Sequence, residues 1–195
     1  LGELALMING EGWLPDSCKC DLAVIKCKNY THQTRYQLPI PPSPNLPNMK
    51  SIYLYPSTCF FEATPVSLGR GTSLPFQVYG HPNMTGYNYS FTPRSIPGAK
   101  NPPQLNKLCY GVDLSNMSDE EIWKRGVDLT YVIDAYRNLN LDDHFFRPFF
   151  ELLVGRDYVR KMIKEGKSAD EIKAMWKGDV EKFKTQRKPY LLYEE

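Results

Sequence analysis

Apolar and polar positions change rhythm near Asp113. Before it, apolar residues come in short runs at 4–8, 21–25, 53–61, 75–82, 91–94 and 109–114, separated by proline, glycine and amide residues. Short apolar runs bounded by turn-forming residues are the mark of strands, and 21–25 reads as a buried one. The run at 50–61 begins with helical spacing and is expected to end as a strand. Residues 38–48 hold so many prolines that neither a helix nor an inner strand can form there. Thirteen of the sixteen prolines fall between positions 39 and 103, which makes that half rich in ordered loops.

After Asp113 the period becomes helical. Ser118 with Glu121, and Ser168 with Glu171, have the spacing of capping boxes. Leu129, Val132, Ile133 and Tyr136 share one face. Helices are expected at 145–153 and 158–164, closed by Gly155 and Gly166, and Gly126 ends the short helix before them. Ile172, Met175, Trp176, Val180 and Phe183 then form a second apolar face, and 189–193 reads as a strand or an extended tail. The pattern predicts an α+β fold: a mixed sheet with long proline-rich loops, followed by a helical region.

Bulk composition narrows the chemistry only a little. Net charge is +2 over 195 residues, which offers no argument for nucleic acid or a membrane surface. No apolar run is long enough to span a bilayer. The chain opens inside an apolar run, so it reads as the back part of a longer protein. Five cysteines, at 18, 20, 27, 59 and 109, make an odd set without zinc-type spacing, and they are expected as buried free thiols. No metal and no cofactor is expected. Asn29, Asn83, Asn88 and Asn116 head Asn-x-Ser/Thr sequons, which matter only in a glycosylating host.

One residue stands out by counting. Glu62 is the only acidic residue between Asp21 and Asp113, a span with eight lysines and arginines. It follows Phe60-Phe61 and precedes the turn Gly69-Arg70-Gly71-Thr72. A lone carboxylate behind aromatic rings is partly desolvated, and desolvation raises its pKa towards general-acid duty. A buried glutamate paired with an arginine for structure satisfies the same pattern. Glu11 sits between Gly10 and Gly12, where the backbone can approach a ligand closely. His81, Asn45 and Tyr55 complete the set of candidate cleft residues. There is no Walker loop, dinucleotide fingerprint, zincin helix or Gly-x-Ser-x-Gly elbow. Two carboxylates among aromatic and amide groups favour glycoside hydrolysis or carbohydrate binding. Gly69 to Thr72 also leaves open a phosphate- or nucleotide-binding module.

The motifs then add a resemblance. Leu6-Met7-Ile8-Asn9-Gly10-Glu11-Gly12-Trp13, Pro42-Ser43-Pro44-Asn45-Leu46-Pro47, Tyr55-Pro56-Ser57-Thr58-Cys59-Phe60-Phe61-Glu62-Ala63-Thr64, Ser67-Leu68-Gly69-Arg70-Gly71-Thr72 and Pro189-Tyr190-Leu191-Leu192-Tyr193 resemble, in order, the bacterial exo-β-N-acetylmuramidases of the NamZ type. The family pattern maps onto Glu62 and Arg70. It departs at Ala63 and Pro65, where glycine and asparagine are usual.

The resemblance implies release of N-acetylmuramic acid from the non-reducing end of peptidoglycan fragments. It implies a Rossmann-like N-terminal domain packed on a C-terminal α+β domain, with the active site in the cleft between them. Residues 1–30 would be the end of that first domain and 31–195 the second, and most of the first domain would be a missing partner. Location would be secreted or periplasmic. Glu62 would be the catalytic carboxylate. Arg70 would either hold Glu62 or bind the lactyl carboxylate of muramic acid, while Glu11, His81, Asn45 and Tyr55 would contact sugar. A non-catalytic wall-glycan-binding or scaffold domain is the alternative.

Overall fold

The first apolar run folds as helix α1, Gly2–Gly10, in a computed structural model that describes all 195 residues. The chain forms two compact units: residues 1–37 with 173–195, and residues 38–172. In the first unit, α1 packs against the end of the chain. A Cβ on Gly10 would lie 2.5 Å from Cε1 of Tyr190, so only glycine lets that ring approach the helix. Glu3 accepts the backbone N–H groups of Leu192 at 2.7 Å and Tyr193 at 3.2 Å, and its other oxygen lies 2.8 Å from His32 Nε2. The tail is a 3-10 turn, Lys188–Tyr190, followed by extended chain. The strand expected at 21–25 does not form, and Ile25 is 94% exposed. The neighbouring Cys20 spends its backbone N–H and C=O on the Asn9 side chain, and no strand ladder follows.

In the second unit, helix α2, Met49–Thr58, starts at a reciprocal cap. Asn48 Oδ1 accepts Ser51 N–H at 2.9 Å, and Ser51 Oγ accepts Asn48 N–H at 3.4 Å. The expected change to a strand within 50–61 does not occur. The helix tightens instead into a 3-10 turn, Cys59–Ala63. Ser51, Leu54, Thr58 and Phe61 are buried at near-helical intervals, and that period carries through the aromatic run. Phe61 is fully buried and stacks on Tyr79 with ring centroids 4.9 Å apart. Burying one such ring contributes roughly 1.5–3 kcal/mol.

The sheet has three strands, β1 (Val78–His81), β2 (Tyr89–Phe91) and β3 (Cys109–Asp113), in the order β1-β3-β2. Every pair is antiparallel, so the expected mixed sheet is corrected to an antiparallel one. Parallel pairing needs a crossover of a dozen or so residues, usually helical, and no helix lies between β1 and β3. β2 forms slightly upstream of the expected run at 91–94. Residues 38–48 contain neither helix nor named strand, only a bridge between Ser43 and Leu46.

Five helices follow: α3 (Asp119–Arg125), α4 (Thr130–Leu139), α5 (Phe150–Val154), α6 (Tyr158–Lys164) and α7 (Ala169–Arg187). Ser118 accepts the Glu121 N–H at the start of α3, and Gly126 ends that helix with φ +60°. Ser168 and Glu171 form a complete capping box. α5 is shorter than the helix expected at 145–153. Pro148 disfavours helical backbone at Arg147, whose N–H instead donates to Ala63 C=O at 2.9 Å. Of the apolar face expected along α7, only Ile172 is buried, and Met175, Val180 and Phe183 are exposed. No helix is long and apolar enough to cross a membrane.

Candidate functional site

The α2 helix and its 3-10 extension place Tyr55, Cys59 and Glu62 at spacings of four and three. One face therefore presents a phenol, a thiol and a carboxylate. The side of Glu62 is set by its neighbours: Phe61 and Ala63 are fully buried, and Ala63 C=O is held by Arg147 N–H. Glu62 points away from that core, with its side chain 28% exposed.

Arg70 reaches the same place from a separate segment. Ser67 exchanges two backbone hydrogen bonds with Gly80, at 2.8 and 2.9 Å, which ties the motif to the sheet. Gly69 and Gly71 then turn with φ of +80° and +83°. A Cβ would lie 2.4 Å from Leu74 O at Gly69 and 2.4 Å from Arg94 O at Gly71. Glycine is required at both positions by conformation and by space. Thr72 closes the turn, its hydroxyl and N–H both donating to Gly69 C=O at 2.7 and 3.1 Å. Two of the turn's amides are spent inside the protein, Gly69 N–H on Ser67 Oγ at 3.4 Å and Thr72 N–H on Gly69 C=O. The turn presents the arginine side chain.

Arg70 Nη1 lies 3.9 Å from Glu62 Oε1. That is ion-pair range and beyond hydrogen-bond range. Arg70 Nε is buried without a hydrogen-bond partner, and Glu62 accepts no hydrogen bond from the protein. Burial pushes the Glu62 carboxyl above its usual range, and the Arg70 charge opposes this only in part. Glu62 in turn acts on its neighbours. Burial first, and then the Glu62 charge, raise the Tyr55 phenol and push the Cys59 thiol up to about 11. Tyr55 rests on Phe76, with ring centroids 5.0 Å apart. Phe76 holds φ +59°, uncommon for an aromatic residue, because its N–H donates to Leu68 C=O at 2.7 Å and its C=O accepts from Thr58 Oγ1 at 3.4 Å.

The other candidates have different surroundings. Asn45 donates from Nδ2 to Gly98 C=O at 2.9 Å and ties together the bridged turns at 43–46 and 96–99. His81 ends β1, and its Nδ1 accepts Asn83 N–H at 3.1 Å, which leaves the proton of the neutral ring on Nε2. Burial, then Lys107, hold the His81 pKa below its ordinary value. Glu11 belongs to the first unit. Its two oxygens accept from Gln186 Nε2 and the Tyr190 hydroxyl, each at 2.7 Å, and these bonds lower its pKa. The close approach expected at Gly10-Glu11-Gly12 is made by Tyr190. The structure thus brings together Tyr55, Glu62 and Arg70 and adds Cys59 and Phe76. Cys59 was readable as a neighbour of Glu62 only if 53–61 was read as a helix. Nothing in the sequence marks the left-handed Phe76.

The five cysteines are all free. Cys18, Cys20 and Cys27 are exposed, which corrects the expectation of buried thiols, while Cys109 is buried. The exposed three lie at 18–27, where few apolar side chains are buried.

Comparison with known proteins matches residues 53–193 to the family model described as exo-beta-N-acetylmuramidase NamZ, C-terminal, and residues 1–50 to its N-terminal counterpart. The chain is 32% identical to the peptidoglycan beta-N-acetylmuramidase NamZ of Bacillus subtilis, over 99% of its own length and 50% of that protein. A crystal structure of a DUF1343 family protein from Bacteroides fragilis is similar at a TM-score of 0.98 and 81% identity. It covers 100% of this chain and 55% of the other. A second DUF1343 structure from the same organism, at 24% identity and a TM-score of 0.73, shares the fold over 99% of this chain and 56% of its own. The chain therefore spans about half the length of the relatives it matches.

Proposed function

The chain belongs to the exo-β-N-acetylmuramidase NamZ family, and from that premise we propose that Glu62 is the general acid of a glycosidase acting on peptidoglycan fragments. The observation that carries the reading is Glu62 itself: half-buried, raised in pKa, and facing an arginine too far away to hydrogen-bond it. Such a carboxyl stays protonated closer to neutral pH. It can pass its proton to the glycosidic oxygen as the bond from the anomeric carbon breaks. Water then completes hydrolysis at that carbon, releasing N-acetylmuramic acid from the non-reducing end.

Arg70 has the donors for a second task. Its geometry with Glu62 is loose and its Nε is unpartnered, so in this reading its fork binds the lactyl carboxylate of muramic acid. Its charge also keeps the Glu62 pKa from rising further. Tyr55, braced by Phe76, offers a ring face and a hydroxyl to the sugar. Asn45 and His81 are outer contacts in the same reading, and Glu11 anchors the chain end. The second catalytic group is assigned to the part of the relatives that this chain does not span, taken to be Rossmann-like. Access to wall fragments implies a secreted or periplasmic protein.

The test is release of N-acetylmuramic acid from a muramyl-glucosaminyl disaccharide by the full-length protein, wild type beside Glu62→Gln. Collapse of kcat in a folded variant supports the assignment. Equal activity in both would make Glu62 structural. An inactive wild type that still binds wall glycan would make this a binding domain. For Arg70→Met, the lactyl role predicts mainly a raised KM, and the Glu62-partner role mainly a lowered kcat.

A further inference from the structure

A second polar site lies apart from the Glu62 motif. It is a cleft of about 440 Å³ between α4 and the start of α7, lined by Thr130, Asp134, Arg137, Asn138, Ser168 and Ala169 among others. Asp134 is its one carboxylate. The hydroxyls of Tyr79 and Tyr87 both donate to Asp134 Oδ2 at 2.8 Å, so the carboxylate is fixed from behind by two phenols. No cationic side chain pairs with it, although Arg137 stands three residues along the same helix. Arg137 is itself anchored. Its Nη2 donates to the C=O groups of Gly166 at 2.8 Å and Lys167 at 3.3 Å, which leaves Nη1 and Nε without protein partners. Asn138 pins the loop at Thr85 through both ends of its amide, at 2.9 and 3.0 Å.

The two charges are thus held apart by separate anchors, in one cleft, each with unspent hydrogen-bonding capacity. Side chains three residues apart on a helix sit about 5–6 Å from each other at Cβ. A small zwitterion carries an ammonium and a carboxylate close together and can offer one to each group within this cleft. The capping box of α7 occupies Glu171 N–H with the Ser168 hydroxyl, and the Ala169 and Asp170 N–H groups of the first turn have no partner within the helix. We infer that this cleft binds a free α-amino acid, its ammonium on Asp134 and its carboxylate on Arg137. The inference does not rest on the glycosidase reading.

The test is isothermal titration calorimetry on the full-length protein with four probes: alanine, ethylamine, propionate and alanylalanine. Alanine should bind, and the two half-ligands should bind about tenfold or more weakly, since each lacks one charge-assisted contact. Alanylalanine, whose charges are set further apart, should also bind weakly. Asp134→Asn and Arg137→Gln should each weaken alanine binding about tenfold or more, while muramic acid release stays unchanged. Both variants carry fold-holding bonds, so Ala169→Phe provides a steric block that leaves those bonds in place, and it should abolish binding. No heat with alanine in folded wild type, equal affinity for all four probes, or alanine binding unaffected by Ala169→Phe would each overturn the proposal.

Discussion

Glu11 and Glu62 are both glutamates beside glycine-bearing motifs, and the structure treats them in opposite ways. Glu11 is partly exposed, accepts two hydrogen bonds of 2.7 Å, and has a lowered pKa. Glu62 is half-buried, accepts none from the protein, and has a raised pKa despite a nearby arginine. Hydrogen bonds to the ionised form make a carboxylate a good tether. Desolvation without such bonds makes it a proton donor. The difference comes from partners and burial, since the residue type is the same.

The comparison breaks first, and by the widest margin, at Glu62→Gln. Its kcat should fall by roughly 10²–10⁴-fold if Glu62 is the acid, while Glu11→Gln should leave kcat nearly unchanged. The stability signs also differ. A raised folded-state pKa means the native chain binds that proton more tightly than the unfolded chain. Stability is therefore lost as pH rises from the unfolded value through the folded one. Glu62→Gln removes that loss, so at neutral pH its thermal midpoint should equal or exceed wild type.

The next effect concerns the turn that delivers Arg70. Gly71→Ala forces a Cβ to 2.4 Å from Arg94 O at φ +83°. The left-handed conformation alone costs about 1–2 kcal/mol, and a lower thermal midpoint with lost activity should show it. Smaller again is Arg70→Met. Removing the charge that lowers the Glu62 pKa should move the alkaline limb of the kcat–pH profile to higher pH. A limb that stays in place would separate Arg70 from Glu62 altogether.

The smallest effects belong to groups outside the pair. Glu11 carries a lowered pKa, so its tether holds above its unfolded value and is lost as pH falls through the folded one. Glu11→Gln should loosen the chain end, read as faster amide exchange at Tyr190 and Leu191, without altering the pH profile of activity. Thiol labelling gives an independent check on burial. Cys18, Cys20 and Cys27 should react quickly in the native protein. Cys59 and Cys109, each pushed up to about 11, should react slowly at neutral pH.

Much of the local structure was legible in advance. The capping signals at Ser118 and Ser168, the helix-ending glycines at 126 and 155, and strands β1 and β3 follow from short-range chemistry that the chain states directly. The run at 53–61 misled because aromatic and β-branched residues suit strands. The cap at Asn48 and burial at helical intervals overrode that preference. The strand read at 21–25 failed because no partner strand exists to take its backbone groups. Of the candidate site, the Glu62–Arg70 pair was legible, one residue from an isolated charge and one from its flanking glycines. Cys59, Phe76 and the Asp134 cleft were not.

The sequence by itself determined which residues could cap, turn and carry charge, and through its motifs it determined the family. Those are properties of neighbours along the chain. Only the tertiary structure decided that the Glu62 pKa is raised while that of Glu11 is lowered, and that Asp134 is fixed by Tyr79 and Tyr87 from 55 and 47 residues away. Burial and hydrogen-bond partners set the free energy of a charge, and both are supplied by residues distant in sequence.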